Sequence, residues 1–165
     1  MKNQNGASLP ILIIVIVVII VIAAVIANYA KEMVEEKSLQ DLRTNMLLIQ
    51  ADAKKDLEEV CFQTANLDAS KEEDLAKINE IKKENLKGVL VQDSDAETSI
   101  PQDITIDENC YYLDEAVLNE IGVKDLNSEQ YGYFIVKYDF TNTTVEVINT
   151  KGYDGKYTLT QLIEE

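Results

Sequence analysis

The sequence has no histidine and only two cysteines among its 165 residues. Without histidine, the commonest general base and the usual nitrogen ligand of zinc are both missing. Cys61 and Cys110 are too few and too far apart for a zinc-type spacing. No Ser/His/Asp, Cys/His, phosphate-loop or glycosidase constellation can be assembled from the remaining residues. We therefore expect a protein that is not an enzyme, with no catalytic residue, no cofactor and no resident metal.

Positive charge is also scarce, since 15 Lys and Arg stand against 30 Asp and Glu, for a net charge of −15. Residues 31–88 carry 10 bases and 14 acids, net −4, whereas residues 89–165 carry 4 bases and 16 acids, net −12. Nucleic-acid phosphates favour clustered Lys and Arg, because neutralising them releases counterions. We therefore expect no nucleic-acid partner.

No charge of either sign occurs between Lys2 and Lys31, and Leu9 to Ala27 is a run of 19 residues drawn only from Ala, Val, Ile, Leu and Pro. A bilayer-spanning helix needs about 20 such residues. In lipid a helix satisfies every backbone amide internally. Ser8 is suited to be the N-cap, and Pro10 then falls in the first turn, where no amide hydrogen is needed. A membrane helix starting near Leu9 is predicted.

Three interpretations of this apolar segment compete: a plain signal-anchor, a cleaved secretory signal, and a leader that is cut before the helix. The secretory signal is disfavoured because the run exceeds the usual core of about 7–15 residues and no Ala-x-Ala follows it. The short leader with Lys2, weighed against the acid-containing "KEMVEEK" beyond the run, places the amino terminus in the cytoplasm and the bulk of the chain outside.

The leader carries a resemblance to a known family. "KNQNGASLPILIIVIVVII" resembles the class III leader of type IV pilins and type II secretion pseudopilins, in which a short polar, Lys-bearing stretch ends in Gly and precedes a hydrophobic helix. The resemblance implies that a prepilin peptidase cuts between Gly6 and Ala7 and that the new amine of Ala7 is methylated. It also implies that the apolar helix forms the core of a filament, through Leu9, Pro10, Ile11, Ile14, Val18, Val21 and Val25.

One position departs from the family pattern. The family usually has Glu at the fifth residue after the cut, where this sequence has Ile11. In the family that carboxylate is thought to neutralise the amino terminus of a neighbouring subunit during assembly. Some minor pseudopilins at filament tips also lack it, and similar starts without Glu occur in pilin-like proteins of Gram-positive anaerobes. The departure therefore leaves open whether this is a major or a minor subunit.

Beyond Lys31 the apolar residues become periodic, at spacings of three and four. Such spacing predicts a helix with one apolar stripe. Neither Pro nor Gly interrupts the chain from Ile11 to Val60, so the membrane and amphipathic parts can be one helix of about 80 Å, at about 1.5 Å per residue. The stripe could instead form a coiled coil with a partner helix. The residues of the stripe are Leu39, Leu42, Met46, Ile49, Ala53, Leu57 and Val60.

The connecting region carries helix signals. Ser70 with Glu73 predicts a capping box for a second helix, and Gly88 is suited to its C-cap. "VLV" after Gly88 has the length of a strand and is followed by an acidic loop. "LDEAVLNEIG" predicts a short helix that ends at Gly122.

The clearest strand pattern lies in "YGYFIVKYDFTNTTVEVIN". Phe134, Val136, Tyr138 and Phe140 alternate on one face, a turn near Asn142 reverses the chain, and the alternation resumes at Val145 and Val147, which predicts a β-hairpin. The end of the chain adds a Gly-rich turn and a last short strand or helix.

The predicted fold class is therefore α+β: a long N-terminal helix, transmembrane and then amphipathic, packed on a small C-terminal antiparallel sheet, as in pilins. The predicted organisation is a leader 1–6, a hydrophobic helix 7–30 and an extracytoplasmic head 31–165, the head comprising an amphipathic helix 31–60, a connecting region 61–122 and a sheet 123–165.

Three further features each have a functional and a purely structural interpretation. A Cys61–Cys110 disulfide would tie the helix to the head, worth about 4 kcal/mol by chain entropy, and buried free thiols are the alternative. Asp93, Asp95 and Glu97 imitate the start of a calcium loop but lack its Gly and closing Glu, which favours a solvated loop. The tyrosines, seven of eight after residue 110, favour half-buried sheet positions over an adhesive surface.

Together these features predict a pilin-like structural subunit of a type IV pilus or type II secretion-type filament. Its partners would be other pilin-like subunits, a prepilin peptidase and, before assembly, the cytoplasmic membrane. It would be located in that membrane, as a single pass with the amino terminus inside, and then in an extracellular filament. The alternatives are an unprocessed single-pass scaffold protein with a coiled coil and an extracytoplasmic head, and a small extracytoplasmic sensor or binding domain.

Overall fold

A computed structural model describes residues 9–93, 100–102, 104–123 and 132–164, except for the side chains of residues 9–18, 21, 24–30, 32 and 93. The chain divides into two compact units, Met1–Asp41 and Leu42–Glu165. The described part of the first unit is helical throughout. The second unit contains all the strands.

Helix α1 comprises Leu9–Thr64 and contains no break. The described part of the helix begins at Leu9, and its end lies four residues beyond the predicted Val60; the proposed cap, Ser8, lies outside the described residues. Within the first unit, Lys31 and Glu35 form an exposed ion pair one turn apart, with Nζ and Oε1 separated by 3.7 Å. In the part of the chain that the structure describes, no helix is long and apolar enough to span a membrane.

In the second unit, the C-terminal part of α1 packs with its predicted apolar stripe inward. Met46, Ile49 and Leu57 are completely buried, and Leu42, Ala53 and Val60 are nearly so. Polar side chains beside the stripe reach the end of the chain and the sheet. Arg43 Nε donates to the Leu162 carbonyl at 2.7 Å, and Gln50 Nε2 donates to the Val145 carbonyl at 3.1 Å. The stripe therefore belongs to the core of this unit.

Helix α2 comprises Glu72–Asn85, and both predicted caps are wrong. Ser70 donates its amide and hydroxyl to Asp68 Oδ1, so its side chain is committed to the preceding turn. Lys71 occupies the N-cap position without a side-chain bond, and three acids in the first turn favour the helix dipole instead. The helix ends at Asn85, before Gly88 is reached.

The sheet is antiparallel, with five strands in sequential order: β1 (Val89–Leu90), β2 (Cys110–Leu113), β3 (Phe134–Asp139), β4 (Thr144–Tyr153) and β5 (Lys156–Thr158). The sheet therefore begins well upstream of the predicted 123–165. β1 realises the predicted "VLV" strand and runs into a 3-10 turn, Val91–Asp93. β2 is a strand that the sequence analysis did not predict.

The predicted hairpin is confirmed as β3 and β4. Val136 pairs with Val147 and Tyr138 with Val145, so the alternating apolar residues of the two strands share one face. In the turn, Asp139 Oδ1 accepts the amides of Thr141 and Asn142, both at 2.9 Å. Thr143 completes the reversal with a positive φ of 52°.

Two short helices complete the fold. Helix α3, Glu115–Ile121, follows the prediction: Asp114 accepts the Val117 amide as N-cap, and Gly122 is a left-handed C-cap at φ 96°. Helix α4, Leu159–Ile163, follows β5 directly and has a capping box between Thr158 and Gln161. The chain end thus forms both a strand and a helix.

The sheet is buried on both faces. Tyr138 lies on the face toward α1, where Asp52 and Asp56 are its charged neighbours. Ile135 and Ile148 lie on the opposite face, in a second cluster with Cys110 and Val91. Strand alternation explains the division, since successive side chains point to opposite faces.

Candidate functional site

The residues singled out by the leader pattern lie at the edge of what the structure describes. Gly6 and Ala7 are outside the described residues. The predicted filament-core positions lie on the backbone of α1, but their side chains are outside the described ones: Leu9, Pro10, Ile11, Ile14, Val18, Val21 and Val25.

The apolar run nevertheless includes described side chains, and these are exposed. Ile19, Ile20 and Ile22 are 59%, 62% and 52% exposed, and further along the same unit Met33 and Val34 are also exposed. Large apolar side chains in a row on a helix surface are typical of a segment covered by lipid or by another protein.

Cys61 and Cys110 form no disulfide: both thiols are free, which is one of the two alternatives that the sequence left open. Cys110 pairs with Lys137 across β2 and β3, on the sheet face opposite the one toward α1. Cys61 is half-buried on α1. The sheet therefore separates the two thiols. Burial raises the pKa of the Cys110 thiol, which lies 3.5 Å from Asp107 Oδ1.

A polar cluster joins three elements of the head. Lys87, between α2 and β1, donates from Nζ to Asp52 Oδ2 of α1 at 2.6 Å and lies 3.5 Å from Glu120 Oε1 of α3. The side chains of Lys87 and Asp52 are each about three-quarters buried. Burial lowers the pKa of Lys87, but the Asp52 hydrogen bond and the charges of Asp56, Asp52 and Glu120 raise it by more. We call Asp52, Asp56, Lys87 and Glu120 the Lys87 cluster.

Asp56 is the member of the Lys87 cluster with an unsatisfied carboxylate oxygen among the described residues. Its Oδ2 atom is buried and accepts no hydrogen bond from the described residues. Burial raises the pKa of Asp56, Lys87 opposes that rise, and Asp52 adds to it. Burial and then the Asp56 charge raise the pKa of the Tyr138 hydroxyl. The Lys87 cluster thus holds one cation among three carboxylates, and its arrangement suits a structural tie.

The sequence analysis missed the Lys87 cluster, although a signal was present. Asp52 and Asp56 are one helical turn apart beside the apolar stripe, where two acids of like charge repel each other. A nearby cation offsets that repulsion. Lys87 supplies it from a segment that sequence pattern alone does not place beside α1.

The acidic loops show no calcium site in the described part of the chain. Asp95 and Glu97 lie outside the described residues, as does the side chain of Asp93. In the second loop, Asp107 Oδ2 is 2.8 Å from Lys137 Nζ, so this carboxylate already has a cation. No group of three His, Cys, Asp or Glu side chains suited to a metal occurs among the described residues.

The described tyrosines of the head occupy sheet and sheet-edge positions, as predicted. Tyr138 is buried, and the ring of Tyr111 meets it edge to face at 5.5 Å. Tyr112 and Tyr133 form a second pair of the same geometry. Tyr29 has its side chain outside the described ones, and Tyr131 lies outside the described residues. These rings stabilise the head.

Comparisons with protein-family models, with curated proteins and with solved structures give no match for this chain.

Proposed function

We propose that the chain is a pilin-like structural subunit, inserted in the cytoplasmic membrane as a precursor, cut after Gly6 and assembled through α1 into a filament. The observation that carries the proposal is the exposed apolar surface of α1 at Ile19, Ile20 and Ile22, within the apolar run that follows a leader resembling the prepilin type. In a membrane, lipid covers such a surface. In a filament, neighbouring helices of the same kind cover it.

The head supports this function over the coiled-coil scaffold. A coiled coil needs the apolar stripe of α1 to be free for a partner helix. In this chain Met46, Ile49 and Leu57 are completely buried within the second unit. These three members of the stripe are therefore not available to a partner helix.

The proposed location is the cytoplasmic membrane before assembly and the cell surface afterwards, and the proposed partners are other pilin-like subunits and a prepilin peptidase. The net charge of −12 over residues 89–165 favours adhesion, motility or protein export over direct DNA capture by this subunit. Ile11, in place of the family's Glu, leaves open whether the subunit is a major or a minor one.

The proposal is tested by expressing the full chain with and without a prepilin peptidase. We expect a shortened product only with the peptidase. Gly6→Val should abolish the cut because a branched side chain replaces hydrogen at the scissile residue, whereas Asn5→Ala, the matched change one residue earlier, should leave it intact. If the wild type without the peptidase, and the wild type and both variants with it, all give a product of the same length, the unprocessed scaffold is supported instead.

A further inference from the structure

A cleft of about 650 Å³ lies between α2 and the first two strands of the sheet. Helix α2 contains no buried residue, and Leu75 on the cleft side is 43% exposed. Leu86 and Leu90 provide further apolar wall, and Asn79, Asn109 and Tyr111 provide polar groups. A cleft of this volume that combines apolar wall with convergent polar groups can accommodate a small amphiphilic molecule.

The charges in the cleft are unusual for this chain. Lys82 and Lys83 line it from α2, against the single acid Glu108 from the turn before β2. The cleft thus carries a net charge of +1, although the whole chain carries −15. It is therefore a local site of attraction for anions on an acidic molecule.

Lys82 is the half-buried one of these two lysines. Its Nζ lies over the Phe140 ring, 3.9 Å from the centroid, and the described residues place no carboxylate oxygen within 4 Å of it. Burial lowers the pKa of Lys82, and Glu108 offsets this only in part. A partly desolvated ammonium of this kind gains from an anion that enters the cleft.

We propose that the cleft between α2 and strands β1 and β2 binds a small carboxylate with an aliphatic tail, the carboxylate at Lys82 and Lys83 and the tail against Leu75, Leu86 and Leu90. A cationic amphiphile would face two like charges. A neutral amphiphile would bring no negative charge to the Lys82 ammonium. The inference needs only the described contacts of the head and does not depend on leader cleavage or filament assembly.

The probe is octanoate, with octanamide as the uncharged isostere and octylammonium as the reversed charge. Binding is measured by ligand-observed NMR on the full chain in nanodiscs of zwitterionic lipid, with empty nanodiscs subtracted. We expect octanoate to bind at least about fivefold more tightly than octanamide, since a charge-assisted hydrogen bond is roughly twice as strong as a neutral one. Octylammonium should not bind.

Variants locate the site. Lys82→Gln should weaken octanoate binding at least about fivefold by removing the charge, and Asn79→Phe should abolish it by filling the cleft from α2. Lys77→Gln is the matched control, because Lys77 lies on the same helix, does not line the cleft and pairs with Glu73 and Asp74. Equal binding of octanoate and octanamide, no saturable binding to the wild-type chain, or equal losses in Lys82→Gln and Lys77→Gln would each overturn the proposal.

Discussion

Lys87 Nζ lies 2.6 Å from Asp52 Oδ2, and this contact joins the segment that leads into β1 to helix α1. The two residues are 35 positions apart, and helix α2 and its flanking loops lie between them. Lys87 also reaches Glu120 on α3, so one lysine connects three separate elements around the head. Within the head, the Lys87 cluster ties the segment before β1 to α1 and to α3.

Lys87→Met should lower the free energy of unfolding by about 1–3 kcal/mol, because it leaves Asp52 and Asp56 partly buried without their cation. Urea unfolding of the full chain in nanodiscs, followed by tyrosine fluorescence, measures the change. Lys77→Met on the exposed side of α2 is the control and should cost less than about 0.5 kcal/mol. An equal loss of unfolding free energy in the two variants would show that Lys87 does not stabilise the head through its buried contacts.

Asp56→Asn should stabilise the chain at pH 7, because burial makes the ionised Asp56 carboxylate costly to keep in the folded state. Burial raises the folded-state pKa of Asp56 above its ordinary value of 3.8, so the folded state keeps this proton to higher pH than the unfolded state does. The contribution of Asp56 to stability therefore falls as the pH rises from 3.8 through the folded-state pKa.

The same unfolding measurement at pH 3 and pH 7 tests this sign. The gain from Asp56→Asn should be present at pH 7 and absent at pH 3, where Asp56 is protonated in both states. Asp52→Asn is the contrast and should destabilise at pH 7, because it removes the acceptor of Lys87. A variant Asp56→Asn that is less stable than the wild type at pH 7 would contradict the account of the Lys87 cluster.

Gly88→Ala should destabilise the head by more than about 2 kcal/mol. Gly88 has φ +94°, and a Cβ there would clash with the Tyr112 carbonyl oxygen, where β1 begins to pair with β2. Gly155→Ala separates the two causes, since Gly155 also has a positive φ but nothing within 4 Å of an added Cβ. Its cost, about 1 kcal/mol, should be clearly smaller; similar costs would mean that backbone conformation alone determines the effect.

Alkylation of the cysteines should be sequential. In the native chain, iodoacetamide should modify the half-buried Cys61 first, while Cys110 is completely buried, with a pKa raised by burial, and should react only after unfolding. Intact mass spectrometry then finds one adduct before urea and two after it. If no adduct forms in the native or the unfolded state without prior reduction, Cys61 and Cys110 are joined by a disulfide.

The elements with strong local signals could be predicted from the sequence. The hairpin has its alternating residues, and α3 has Asp114 and Gly122 at its two ends. β2 was missed because "CYYL" is only four residues long and follows a polar loop, so its strand character arises from pairing with β3. Ser70 was misassigned as a cap because Asp68, two residues earlier, competes for the same hydroxyl.

The candidate sites were harder to predict from the sequence than the helices and strands. A disulfide between Cys61 and Cys110 was compatible with the order of elements, but strand register decides which face a side chain takes, and one position of shift reverses it. Cys110 lies opposite Lys137 and so faces away from α1. Of the Lys87 cluster, only the Asp52 and Asp56 pair was visible in the sequence. The cluster and the cleft beside α2 each combine residues from elements whose mutual placement no local pattern encodes.

The central claim, that this chain is processed as a prepilin and assembles through α1, is tested most directly by the intact mass and amino-terminal sequence of the protein taken from its native cells. The account predicts a mature chain that begins at Ala7 and carries one methyl group on its amine. A chain that begins at Met1 would contradict it in favour of an unprocessed anchor, and a chain that begins at Asn28 would contradict it in favour of ordinary secretion.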